Sequence, residues 1–180
     1  MPAPKEPATT VHVCGVGSLP ATTAKVGATH IITLIRDHGP VATPPGVAPE
    51  NHLRIDVNDI TGPSDGLIHP QDIHVEEVLN FARAWDHRAP MIVHCFAGIS
   101  RSTASAYSIL CALNPDVPED LIARRLRRAS PTATPNALIV SIADDMLGRG
   151  GRMVDAIDAI GLGEPANEAV PFFLASRQKE

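Results

Sequence analysis

The stretch Pro90 to Ser102, PMIVHCFAGISRS, constrains this chain more than any other. Pro90 breaks whatever helix precedes it, because proline lacks an N–H and clashes with the turn before it. Met91, Ile92 and Val93 then form a short apolar run, the mark of a strand buried on both faces. Small residues follow, and from Arg101 the pattern is helical through about Leu113. A strand that passes through a tight loop into a helix is half of a βαβ unit, so a parallel sheet is expected.

The remaining chain repeats this alternation. Val11 to Val16 reads as a first strand ending at Gly17, and Ser18 with Pro20 opens a short helix that stops near Gly27. His30 to Arg36 is a β-branched strand, residues 37–50 are a Pro- and Gly-rich loop, and His52 to Val57 alternates as a third strand. Asp59 to Pro70 is a second long loop, the kind that forms lids and binding segments. Val75, Val78, Leu79, Ala82 and Trp85 recur at helical spacing between Gln71 and His87. Asp116-x-x-Glu119 is a capping pattern for a helix over 117–129, Thr134-Pro135 opens another that runs to about Gly148, and a last one covers 152–160. After Gly161 periodicity fades, although Phe172, Phe173 and Leu174 are apolar enough to dock on the body. The expectation is an α/β fold: a small, mostly parallel central sheet flanked by helices. Residues 1–10 read as a flexible lead-in and 11–180 as one domain.

Composition narrows the function classes. With 180 residues and one Trp, one Tyr and four Phe, the core must be mostly Ala, Val, Ile and Leu. A formal net charge of −5 gives no overall field for nucleic acid or an anionic membrane, so neither is expected as a partner. Three irregularly spaced cysteines make no disulfide framework, and reduced thiols point to a cytoplasmic location. No apolar run suits a signal peptide or a bilayer span. Eight histidines include no ligand pair at helix spacing, so no metal is expected. Nothing in the sequence reads out an oligomeric state.

The chemistry concentrates after Val93. Consecutive backbone N–H groups in such a loop curl into a nest for an anion, and the helix behind it adds the positive end of its dipole. Gly98 relieves the curl of steric limits. A cysteine at the base of the loop meets this positive potential, which favours its thiolate. Arg101 sits at the unfavourable end of a helix dipole unless an anion fills the loop, where a guanidinium forks two hydrogen bonds onto phosphate oxygens. Nucleophile, nest and clamp therefore share one segment.

His94, Cys95-x5-Arg101 and Ser102, preceded by a strand, resemble the H-C-x5-R-S/T signature of the protein tyrosine phosphatase superfamily. The match is closest to its compact, dual-specificity-like bacterial branch. There a strand ends in a loop that carries a catalytic carboxylate well upstream of the cysteine, and LRIDVNDI with Asp59 fits that place. Pro135-Asn136 likewise resembles a Pro-Asn pair that opens a later helix. The likeness spans roughly residues 11 to 148.

The resemblance implies hydrolysis of a phosphorylated protein or small phosphomonoester through a phosphocysteine, without a cofactor. Cys95 is then the nucleophile. Arg101 and the main chain of Phe96, Ala97, Gly98, Ile99 and Ser100 bind the phosphoryl oxygens. Asp59 is the general acid, a role typically worth about a hundred- to ten-thousand-fold in rate. Ser102 assists departure of the sulfur, His94 orders the loop, and Asn136 ties the later helix to it. Asp56, Asp65 and Asp72 compete for the acid's role, with Asp59 ranked first and Asp56 second. Asp59 is favoured because Gly62 and Gly66 would let its loop swing.

Other readings stand beside this one. A rhodanese-like sulfurtransferase also carries a reactive cysteine loop, and a pseudophosphatase would bind phosphoprotein without turnover. Cys111 reads as core. Cys14 reads as buried, with a protective disulfide to Cys95 as the alternative. Arg124, Arg125, Arg127 and Arg128 read as a solvated helix end, with docking of an acidic partner as the alternative. The loop interior has no basic residue besides Arg101, which favours a phosphoprotein or small monoester over polyphosphates. The sequence identifies no aromatic wall for a phosphotyrosine pocket, and the only tyrosine, Tyr107, falls in the helix after the loop.

Overall fold

The computed structural model of the chain describes residues 9–36 and 39–178. Among the described residues, five strands and six α-helices follow one another. They are β1 (Thr10–Gly15), α1 (Leu19–Val26), β2 (His30–Leu34), β3 (His52–Ile55), α2 (Asp72–Ala84), β4 (Met91–Cys95), α3 (Arg101–Leu113), α4 (Glu119–Ala129), α5 (Ala137–Met146), α6 (Arg152–Ile160) and β5 (Phe172–Ala175). The strands form one sheet in the order β3-β2-β4-β1-β5. The first four pair in parallel, and β5 runs antiparallel along β1. The α/β architecture with a mostly parallel sheet is therefore as the alternation predicts.

Side-chain alternation divides the core. Val11, Val13, Ile32, Leu34, Met91, Val93 and Cys95 join one large cluster with the apolar faces of α2 to α6. Cys14, Ile31 and Ile92 point the other way, into a smaller cluster with Leu19 of α1 and Val47 of the loop before β3. The middle strand, β4, is buried at every position, as its apolar run requires.

Several boundaries differ from the sequence reading, each for a local reason. The chain leaves β1 at Gly15 into a short 3-10 turn, Val16–Ser18. The helix from Gln71 ends at Ala84 rather than His87, because Trp85 adopts an extended conformation and its indole N–H donates to the Ala89 carbonyl at 3.0 Å. Glu119 does not complete a capping box. Its carboxylate lies buried between Arg149 (2.9 Å) and Arg152 (3.2 Å), and α4 starts without a side-chain cap. The helix expected from Thr134-Pro135 begins after Asn136, which is its N-cap. Residues 1–8 of the expected lead-in lie outside the described residues. Thr9 and Thr10 are tied to the body, with Ser176 N–H donating to the Thr9 carbonyl at 2.8 Å and Thr10 paired with Ala175. No helix among the described residues is long and apolar enough to cross a membrane.

Candidate active site

Cys95 ends the central strand, only 2% exposed, and the chain turns through residues 96–100 into α3. The neighbours of this loop determine its curl. The Phe96 carbonyl accepts from Val16 N–H at 3.0 Å, Ala97 from Ala169 at 2.9 Å, Ile99 from Thr134 at 2.9 Å and Ser100 from Asn136 at 3.2 Å. In a planar trans peptide the N–H points opposite to the carbonyl. With these four carbonyls turned outward, the N–H groups of residues 97, 98, 100 and 101 turn to the inner side. Successive N–H groups turned to one side in this way can receive an anion. Gly98 has φ +72, and a Cβ there would stand 2.7 Å from the Cys14 carbonyl carbon, so the position needs glycine on two counts.

The candidate residues gather on this loop. Ser102 Oγ lies 3.1 Å from Cys95 Sγ. The Arg101 guanidinium is buried against β3's exit, with Nη1 donating to the Val57 carbonyl at 2.8 Å. Its Nε–H is buried without a partner among the described residues, a donor that an oxyanion would satisfy. His94 is fully buried. Its Nδ1 faces the Cys95 carbonyl at 3.3 Å and its Nε2 the Thr33 hydroxyl at 2.6 Å. Burial pushes His94 down to about 4, so it is neutral near pH 7.

Asp59 is docked on the loop. Ser100 Oγ donates to its Oδ1 at 2.7 Å, and Asn136 Nδ2 donates to the same oxygen at 2.9 Å. The other end of the Asn136 amide accepts from the Leu138 and Ile139 N–H groups, both at 3.1 Å, capping α5. One side chain thus joins helix, carboxylate and loop. The loop beyond Asp59 is pinned at its neck, with Asn58 N–H donating to the Ile68 carbonyl and Ile68 N–H to Asn58 Oδ1, each at 2.8 Å. The three rivals sit elsewhere. Asp56 is exposed and paired with Arg36 at 3.0 Å, Asp65 is exposed on the loop, and Asp72 is the exposed first residue of α2.

The remaining sequence candidates separate from this cluster. Cys14 opposes His94 in the register and points into the smaller cluster, on the sheet face away from Cys95. Burial pushes the Cys14 and Cys111 thiols up to about 12, away from the thiolate form that reacts. Tyr107 is buried with its hydroxyl donating to the Glu119 carbonyl at 3.1 Å, so it forms no pocket wall. Phe96, 48% exposed, is the aromatic side chain of the loop itself. In the basic run, Arg124 pairs with Asp120 at 2.9 Å, and Arg127 donates to the carbonyls of Pro131, Ala133 and Gly161. Among the described residues no three His, Cys, Asp or Glu side chains are grouped so as to hold a metal ion.

Some supporting residues escape a reading of the sequence. The segment after α6 closes on the loop through Ala169 and on its neighbour Thr132, where Gly163 leaves no room for a Cβ, 2.5 Å from backbone. Its lack of periodicity hides it. Thr33 does leave a signal, as the one hydroxyl in the apolar run HIITLIR.

No family model and no curated protein matches the chain. Solved structures do. Human DUSP28 superposes with a TM-score of 0.61 at 20% identity, over 79% of this chain and 95% of its own. DUSP15 gives 0.59 at 19% identity, over 89% and 97%. The PTP-2 phosphatase of Cydia pomonella gives 0.59 at 16% identity, over 75% and 84%. At such identities the likeness is one of architecture, and the chain has the fold of the dual-specificity and related protein tyrosine phosphatases.

Proposed function

We propose that this protein is a cysteine-dependent phosphomonoester hydrolase, a protein phosphatase of the tyrosine or dual-specificity kind, acting through a phosphocysteine. The observation that carries this reading is the convergence on one anion-binding loop of the Cys95 sulfur, the Ser102 hydroxyl 3.1 Å from it, a buried Arg101 and the Asp59 carboxylate.

The Cys95 thiolate attacks phosphorus, an S–P bond forms and the ester P–O bond breaks. The inward N–H groups and Arg101 hold the oxygens on which charge spreads. Both donors to Asp59 use Oδ1, which leaves Oδ2 to deliver a proton to the departing oxygen. In the second step that carboxylate takes a proton from water, the water oxygen attacks phosphorus, and the S–P bond breaks. Ser102 then donates a hydrogen bond to the sulfur, which leaves as the thiolate. His94, neutral and fully buried, moves no proton. A groove lined by His69, Ile73, Leu138 and Ile142, starting two residues from Asn136, offers a path for peptide flanking the phosphorylated residue.

The test is release of phosphate from para-nitrophenyl phosphate and from a panel of phosphotyrosine, phosphoserine and phosphothreonine peptides. Turnover that vanishes in Cys95→Ser is expected. Absence of turnover in the wild-type protein, or its survival in Cys95→Ser, would sink the reading. Thiosulfate sulfurtransferase activity in its place would favour sulfur transfer.

A further inference from the structure

A chain of short contacts leads from the start of the loop to the protein surface. His94 Nε2 lies 2.6 Å from Thr33 Oγ1, and the same oxygen lies 2.7 Å from His52 Nε2. His52 Nδ1 lies 2.8 Å from Thr43 Oγ1, and Arg54 Nη2 donates to that hydroxyl at 2.9 Å. Arg54 also donates from Nε and Nη2 to the Val41 carbonyl, which fixes the guanidinium. Thr33, His52 and His94 are all buried.

The two ends settle where each hydrogen sits. A carbonyl only accepts, so the contact with Cys95 O requires the hydrogen of His94 on Nδ1. Nε2 is then an acceptor, and Thr33 must donate to it. The Thr33 oxygen is left to accept from His52 Nε2–H, and His52 Nδ1 accepts from Thr43. A guanidinium cannot accept, so Thr43 receives from Arg54. The opposite order would aim a bare His94 lone pair at the Cys95 carbonyl. Burial depresses both imidazoles to about 4, which keeps each in the one-hydrogen form that the order needs.

We propose that Thr33, His52, Thr43 and Arg54 are positioning residues that hold His94 in its Nδ1–H tautomer, and through it the Cys95 carbonyl at the root of the phosphate loop. The role in turnover rests on the phosphatase reading, whereas the order of hydrogens does not. The experiment is 15N NMR of the histidine side chains, paired with steady-state kinetics on para-nitrophenyl phosphate. In the wild-type protein His94 should be protonated on Nδ1 and His52 on Nε2. Thr33→Val keeps the shape and removes the hydroxyl. It should mix the His94 tautomers and lower kcat about tenfold, the scale of one lost hydrogen bond near a reacting centre, with KM within about twofold. Thr33→Ser should restore both. Thr43→Val, nearer the surface, should mix the His52 tautomers if Thr33→Val fails to fold. An Nε2-protonated His94 in the wild type, or full kcat in Thr33→Val, overturns the proposal. The expected tautomers without any wild-type turnover would sink the phosphoester reading and leave the order of hydrogens standing.

Discussion

At the scale of single residues, Gly98 and Asp59 make the sharpest demands. Gly98→Ala must place a methyl 2.7 Å from main chain at a positive φ, so either β1 or the loop has to move. We expect a destabilisation of about 2 kcal/mol or more, with loss of turnover, read by urea titration and phosphate release. Asp59→Asn should lower kcat by about a hundred-fold or more and flatten the alkaline limb of the pH–rate profile. An unchanged profile would return the acid's role to Asp56 or to another group. These residues are legible because their chemistry is compressed into nine consecutive positions or sits at a strand end. The contacts that set Asp59 apart from the other three aspartates are not, because Ser100 and Asn136 donate to it across the fold. His52 and Thr43 are illegible for the same reason: hydrogen bonds between distant segments leave no spacing in the sequence.

Among elements, α5 and α4 show how helix ends serve the rest. Asn136→Ala removes the cap of α5 and should cost about 1 kcal/mol. It also frees Asp59, so turnover should fall along with Tm; a drop in Tm alone would separate the cap from the carboxylate. Glu119 shows the opposite case. Burial works to raise its carboxyl, and hydrogen bonds from its own N–H, Arg152 and Arg149 outweigh that and hold it below the usual range. Glu119→Gln leaves Arg149 buried without its counter-ion, at a cost of about 3 kcal/mol. That corresponds to a fall in Tm of about 10 °C with catalysis intact below the transition. The helices themselves are readable from periodicity and from proline and glycine punctuation. Glu119 misleads because its spacing from Asp116 fits a local cap, while the structure spends it on a long-range ion pair. The strand β5 reads only as an apolar patch, since four residues are too few to display an alternation.

For the molecule as a whole, stability should fall with acidity. Folding lowers His52 and His94 from 6.5 to about 4, and burial is the main cause in both. Above pH 6.5 neither state binds these protons and the stability is complete. As the pH drops toward 4 the unfolded chain takes up protons that the native state refuses, and stability is lost. For His94, the more deeply enclosed of the two, the loss approaches about 3 kcal/mol, since a tenfold drop in proton affinity is worth about 1.4 kcal/mol. Urea midpoints between pH 7 and 4.5 should decline accordingly, and less steeply in His52→Gln; an equal slope in the variant would contradict this account. The sheet carries one more consequence. The segment that braces the loop after Cys95 through Ala169 continues directly into β5, which covers the outer edge of β1. During synthesis Cys95 therefore leaves the ribosome well before its loop can be braced, and β1 emerges with an unpaired edge open to neighbouring chains. A newly made molecule acquires a braced loop after Cys95 and a protected sheet edge together, and only once residues 169–175 have emerged.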